Sequence, residues 1–196
     1  MRAFLTTDRL LLRRFTEDDL DDLVRLDGDP RVTRFLTGGR PTPRAHLRDQ
    51  TLARILAWYE RGPLSRWAAV ERSSGDFIGW LALEPGDGHD LRQAELGYCL
   101  RAASWGRGYA TEGSRALIAK AFADLGVHRV FAQTMAVNAA SRRVMEKSGL
   151  TYLRTFHQHW DDPIPGTEHG EVEYELLRAD WSRPRERESE RRRSGL

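Results

Sequence analysis

At residues 104–113 the chain reads SWGRGYATEG, three glycines within ten positions. The stretch lies between two periodic runs. Before it, Gln93 to Leu100 (QAELGYCL) alternates as a strand does; after it, Ala116, Leu117, Ala119, Lys120, Phe122, Ala123 and Leu125 continue a helical pattern that Gly126 stops. A strand that passes through glycines into a helix leaves several main-chain N–H groups unpaired and aimed one way, and the helix dipole adds positive potential there. That is a cradle for phosphate. Gly106 and Gly108 remove Cβ atoms from the path of an anion, and Ala110 keeps the next turn small. The spacing is neither GxGxxG nor a Gly-Lys-Ser/Thr loop, so dinucleotide and P-loop nucleotide readings lack their fingerprints. A glycine-rich turn with no ligand fits the same residues.

The flanking order narrows the fold. Arg9 to Phe15 reads as a strand, and Thr16-Glu-Asp-Asp19 matches a capping box opening a helix through about Leu26. Gly28-Asp-Pro30 breaks it. Thr42-Pro43 starts a second helix, with Leu47, Leu52, Ile55, Leu56 and Tyr59 as its apolar stripe. Arg66 to Glu71 and Phe77 to Leu83 read as a hairpin across Arg-Ser-Ser-Gly-Asp. After the glycine stretch come a strand (Val127 to Met135), a helix (Asn138 to Ser148, closed by Gly149) and strands at Leu150 to Trp160 and Glu171 to Arg178. Consecutive hairpin strands exclude a purely parallel sheet and predict an α/β fold on a mixed, seven-stranded sheet with flanking helices.

Composition bounds the setting. The 196 residues suit one domain, taken as residues 1–180, ahead of a charged tail over 181–196 that is expected to be disordered. No run of 18 apolar residues exists, and Met1 to Leu12 lacks an apolar signal core, so the expectation is a cytoplasmic protein without membrane contact. A lone Cys99 rules out an internal disulfide and a cysteine-based zinc site. The net charge of +2 comes from the tail, whose six arginines face three glutamates; without it the body is slightly acidic. Nucleic-acid contact through that tail is therefore a minor reading beside simple solvation.

Taken together, TDRLLLRRFTEDDLDDL, SWGRGYATEG and NAASRRVMEKSGL resemble the GNAT superfamily of acyl-CoA-dependent N-acyltransferases, and most nearly its RimJ/RimL-like branch. The resemblance runs from about Thr7 to Arg178. It implies a sheet splayed between its fourth and fifth strands, with acetyl-CoA as co-substrate. The pantetheine arm would run along Cys99, Leu100, Arg101 and Ala102, and the diphosphate would rest on the amides of Trp105, Gly106, Arg107, Gly108, Tyr109, Ala110 and Thr111. Asn138 would touch the pantetheine, with Ser141 and Arg142 nearby; by spacing alone Asn138 is a helix cap. The tyrosine acid common in the family falls here on Met145, so that role is not carried over, and Tyr152 is a weak substitute. Homodimers are common in the resembled family.

The chemistry sets what the site must supply. A lysine-like amine near pKa 10.4 costs on the order of 4 to 5 kcal/mol to deprotonate at pH 7, an α-amino group only about 1, and releasing a thiolate near pKa 8.5 roughly 2. A base therefore matters more than an acid. Alternation puts Glu95, Gly97 and Cys99 on one strand face and Leu96, Tyr98 and Leu100 on the other, taken as the core. Glu95 is the candidate base, with Gly97 leaving room for a substrate, or else an ion-paired strand glutamate. Oxyanion stabilisation falls to a backbone N–H near Tyr98 or Leu100. Trp67 and Trp80 on neighbouring strands, together with His157 and His159, are candidates for substrate binding. No metal is expected, although His157, His159 and Asp161 share the alternation of a ligand set. The acidic stretch Asp161 to Glu171 suits a cationic amine. The expected activity is direct acetyl transfer to a primary amine, foremost a protein N-terminus; the alternatives are a small-molecule amine acetyltransferase and a non-catalytic acyl-CoA sensor.

Overall fold

A computed structural model describes residues 3–86 and 90–181; the arginine-rich segment from Ser182 onward lies outside the described residues. Eight strands form one mixed sheet in the order β1-β2-β3-β4-β5-β6-β8-β7. They are β1 (Ala3–Thr6), β2 (Leu10–Arg13), β3 (Ser65–Glu71), β4 (Phe77–Pro85), β5 (Gln93–Leu100), β6 (Arg129–Met135), β7 (Thr151–Phe156) and β8 (Glu171–Leu177). The strand beyond the expected seven is β1, which the short, weakly alternating run after Met1 did not announce. It pairs antiparallel with β2 and stacks Phe4 on Trp67 at 4.0 Å between ring centroids. β7 is also shorter than its apolar run suggested and ends at Phe156.

Helices cover both faces. α1 (Leu20–Asp27) is launched as the capping pattern requires, with the Thr16 amide donating to the Asp19 carboxylate at 2.8 Å. Burial works to raise the Asp19 carboxyl, but bonds from Arg13 and Thr16 outweigh it and hold the group below its ordinary value. A turn at α2 (Pro30–Thr33) leads to a rod made of α3 (Arg44–His46), a π-helical stretch (Leu47–Leu52) and α4 (Ala53–Trp58). The widened stretch has a cause in the sequence. Leu47 and Leu52 are five apart, a spacing an α-helix would point in different directions, and the π turn returns both to the buried side with Ile55 and Tyr59. On the opposite sheet face α5 (Tyr109–Asp124) buries Leu117, Ile118, Ala121 and Phe122. α6 (Ala139–Lys147) joins β6 to β7, and α7 (Arg178–Trp181) ends the described chain. Trp181, assigned to the tail on composition, closes α7 with its ring 5.5 Å from Phe122. Among the described residues no helix is long and apolar enough to cross a membrane.

The sheet does not close evenly. β5 and β6 are parallel neighbours only at Gln93–Arg129, Ala94–Val130 and Glu95–Phe131, after which they part. β6 stays paired with β8 along its whole length, from Arg129 to Met135. The opening therefore lies between the strands expected to flank it, the fifth and sixth once β1 is counted.

Candidate active site

The glycine stretch stands at the mouth of that opening. Gly106 and Gly108 have φ of +72° and +82°, and Gly108, in the left-handed region, is the N-cap of α5. An L-residue there would be strained, which explains these glycines without appeal to a ligand. The ligand argument comes from the hydrogen bonds. Among the described residues the amides of Gly106, Arg107, Gly108, Tyr109, Ala110 and Thr111 find no acceptor in the chain, and no side chain caps the helix. The Trp105 amide does not share this freedom, because it donates to the Ala102 carbonyl at 3.2 Å. Its indole instead donates to the Leu100 carbonyl at 2.8 Å, fixing the turn to the end of β5.

Several side chains brace this turn from outside, a set the sequence reading missed. Arg9, between β1 and β2, donates to the Arg107 carbonyl at 2.8 Å and pairs with Glu112 at 2.5 Å. Glu71 accepts from both Arg107 and the Tyr109 hydroxyl, and its carboxyl is held below its ordinary value chiefly by the Tyr109 bond. These partners lie 36 or more positions away in sequence. No local pattern reveals them.

Along β5 the ladder decides which main-chain groups face the gap. Gln93 accepts from the Gly86 amide and Arg101 donates to the Ile78 carbonyl, so the odd-numbered residues turn their main-chain groups toward β4. The even-numbered ones, Tyr98 and Leu100 among them, turn theirs toward the side that β6 has left. An extended ligand arm can add itself there as a strand would. The Tyr98 hydroxyl reaches the other wall, where it meets the Ser141 hydroxyl at 2.9 Å and donates to the Ser141 carbonyl at 3.0 Å; burial pushes it up to about 12. Asn138 caps α6, its oxygen accepting from the Ser141 amide at 3.2 Å and its amide donating to Thr134 at 3.0 Å.

Comparison with known proteins agrees with this geometry. A family profile described as an acetyltransferase (GNAT) domain matches residues 9–151. The chain belongs to the GNAT acetyltransferases. An FsC-acetyl coenzyme A-N(2)-transacetylase of Aspergillus fumigatus is 33% identical over 190 residues, covering 91% of this chain and 78% of that protein. Two solved structures share the fold. RimL, a ribosomal L7/L12 α-N-protein acetyltransferase in complex with coenzyme A, superposes with a TM-score of 0.76 at 17% identity over 90% of this chain and 98% of its own. Spermidine N-acetyltransferase from Vibrio cholerae, with coenzyme A and spermine, gives 0.74 at 15% over 90% and 100%. The chain is accordingly an acetyl-CoA-dependent GNAT N-acetyltransferase.

On the acceptor side the structure brings together fewer residues than expected. Glu95, Gly97 and Cys99 do share a face with Trp80, which lies directly opposite Cys99. Gly97 makes room for that tryptophan rather than for a substrate: a Cβ there would meet the indole at 3.3 Å. Arg66 covers the other side of the same ring at 3.9 Å. Trp67 does not wall the cleft. The register places it opposite Leu81 on the other sheet face, where it is buried against Phe4. Cys99 is buried as well, and burial pushes its thiol up to about 12, so it stays protonated at neutral pH and is no nucleophile. His157 and His159 follow the end of β7 instead of alternating along it; both are exposed, and His159 lies 3.6 Å from the exposed Asp161. Arg142 is held by the Tyr174 hydroxyl at 3.1 Å and the Ala136 carbonyl at 3.1 Å. Met145 is buried in α6, and Tyr152 sits exposed on β7 with its hydroxyl on Thr155. The loop after β7 folds back, with Ile164 against Gly38 and Asp162 paired with Arg40 at 2.5 Å.

Proposed function

We propose that this acetyltransferase acts on a small, positively charged primary amine by direct transfer, with Glu95 as the proton acceptor. The observation that carries the reading is the placement of carboxylates around the parting of β5 and β6. Glu95 is on the last paired rung, and the register continues its face to Glu175, Glu173 and Glu171 on β8. The returning loop over residues 161–170 adds Asp161, Asp162 and Glu168. Arginines neutralise Glu173, Glu175 and Asp162, and the carboxylate of Glu95 at the edge of the opening suits a cationic amine. The Aspergillus relative, named for transfer to an N(2) nitrogen, agrees with an amine acceptor.

The roles follow from where each group points. The unpaired amides of Gly106 to Thr111 would hold the diphosphate of acetyl-CoA. The open side of β5 at Tyr98 and Leu100 would align the pantetheine and present an N–H to the thioester oxygen. When bound, acetyl-CoA supplies the activated acetyl group. Glu95, directly or through a water, takes the proton from the amine as the carbon–nitrogen bond forms and the carbon–sulfur bond breaks. Departure as thiolate is uphill by only roughly 2 kcal/mol at pH 7, so no dedicated acid is required in place of Met145.

A screen of small amines and N-terminal peptides, read by free thiol release, tests the acceptor. Turnover confined to peptides would replace this reading with the protein N-terminus, and coenzyme A binding without turnover on any amine would leave a sensor. Glu95→Gln is expected to lower kcat by about 100-fold with little change in KM for acetyl-CoA. A kcat within twofold of wild type would remove Glu95 from the mechanism.

A further inference from the structure

The helix that starts without a cap has a second feature. A cavity of about 780 Å³ lies over its outer face, beginning at Gly108 of the cradle and continuing past Thr111 and Glu112 to Arg115. The inner face of α5, with Gly113, Ser114, Leu117 and Ile118, is buried against the sheet, so the cavity is on the side turned from it. The turn between β1 and β2 borders one flank, and Lys147, the last residue of α6, borders the other. One end of the cavity is therefore the row of amides that find no acceptor in the chain.

Charge is unevenly spread along this lining. At the β1–β2 flank Arg9 is paired with Glu112 at 2.5 Å, and Asp8 adds a second acid. The α6 flank holds cations alone. Arg115 gives its Nε and one terminal nitrogen to the Lys147 carbonyl, at 2.9 and 2.5 Å, which fixes the side chain but leaves its charge without a carboxylate. The Lys147 ammonium meets neither acceptor nor acid among the described residues. Arg115 is seven positions past Gly108. That is about 10 Å along the helix, and helical side chains lean back toward the N-terminus, here toward the cradle.

Coenzyme A has two separate phosphate groups, the diphosphate on the 5′ carbon of its ribose and a monoester on the 3′ carbon. With the diphosphate on the first turn of α5, the ribose keeps the monoester within roughly one to two helical turns of it, the interval at which Arg115 and Lys147 are found. Resting on that placement of the diphosphate, we infer that Lys147 and Arg115 bind the 3′-phosphate of coenzyme A in this cavity, and so make the enzyme selective for coenzyme A over a carrier whose ribose is unphosphorylated. A compact ammonium and a fixed guanidinium both suit a phosphate monoester.

Calorimetry with coenzyme A and 3′-dephospho-coenzyme A tests this, since the two ligands differ in that group alone. Wild type is expected to bind coenzyme A about tenfold more tightly, as two exposed ion pairs allow. The gap should narrow as salt is raised. Lys147→Met should weaken coenzyme A by about threefold and leave dephospho-coenzyme A where it was. Arg115→Gln should do the same, its melting temperature reporting any loosening of α6. Arg143→Gln removes a charge from the same helix at an exposed position that does not line the cavity, and should keep the full preference. KM for acetyl-coenzyme A should follow these affinities. Equal binding of both ligands to wild type, a preference that survives in both Lys147→Met and Arg115→Gln, or an equal loss in Arg143→Gln overturns this inference alone. Binding of neither ligand overturns it together with the reading of the cradle.

Discussion

Two helices begin at the mouth of the cleft, one on each wall, and they start differently. α6 is closed by its own side chain, with Asn138 accepting from the Ser141 amide and bonding Thr134. α5 begins on a left-handed glycine with no cap, and the amides from Gly106 to Thr111 have no acceptor in the chain. Both follow a strand and both could be capped by one ordinary polar residue. In the proposed reading the uncapped end is the one kept for a ligand: an uncapped terminus gives up about 1 kcal/mol of local stability, and a bound diphosphate would return it.

The contrast is broken most sharply by supplying α5 with an internal anion. Ala110→Asp puts a carboxylate over the amides of the first turn. It should weaken coenzyme A by on the order of 100-fold through like-charge repulsion, while stabilising the helix end by about 0.3 to 1 kcal/mol. Calorimetry and thermal melting read the two effects separately. Unchanged coenzyme A affinity would mean that the diphosphate binds elsewhere.

Next in size is Gly108→Ala. Its φ of +82° is unfavourable for an L-residue by about 1 to 2 kcal/mol, whereas an added Cβ would meet only the Arg9 guanidinium at an ordinary 3.5 Å. Stability should drop by that amount, and coenzyme A affinity should follow if the amides lose their common aim. Asn138→Ala on the opposite wall should remove about 1 kcal/mol of stability. A coenzyme A loss larger than the change in stability would show that Asn138 also touches the ligand, the role the family resemblance gives it.

The same contrast explains what was legible in the sequence. The glycine turn was visible because glycine spacing, a preceding strand and a following helix are local signals, and the position of the opening was implied by the family resemblance. The bracing by Arg9, Glu71 and Glu112 was not, because each partner arrives from a distant strand or turn and looks like an ordinary surface charge in sequence. Trp67 was misread for a related reason. Alternation sorts faces within one strand, but relating two strands needs the register, and a bulge between Ala69 and Val70 lies in this pair. His157 and His159 were carried onto a strand face by extending β7 past Phe156, where its pairing with β8 stops at Glu171. Glu171 itself reads as one acid among several in the loop and strand that follow. Only its lack of an arginine separates it from Glu173.

The smallest expected effect compares the two walls by acid titration. On the α5 wall, burial works to raise Glu112, but bonds from the Thr7 hydroxyl and from Arg9 more than offset it, so its carboxyl lies below the ordinary value. On the α6 wall burial alone raises Glu171. A lowered carboxyl contributes stability above its unfolded value, near 4.3, and loses it as the pH falls through the folded value. A raised one does the reverse: its burden is present at neutral pH and is relieved as the pH falls through its raised value toward that of the unfolded chain. As the pH falls from neutral through that raised value toward about 4.3, the melting temperature of wild type should therefore gain relative to that of Glu171→Gln. Below about 4 wild type should lose relative to Glu112→Gln, since only wild type has that contribution to give up. Parallel wild-type and Glu171→Gln curves from neutral pH down to about 4 would mean that the Glu171 carboxylate is already compensated in the free protein.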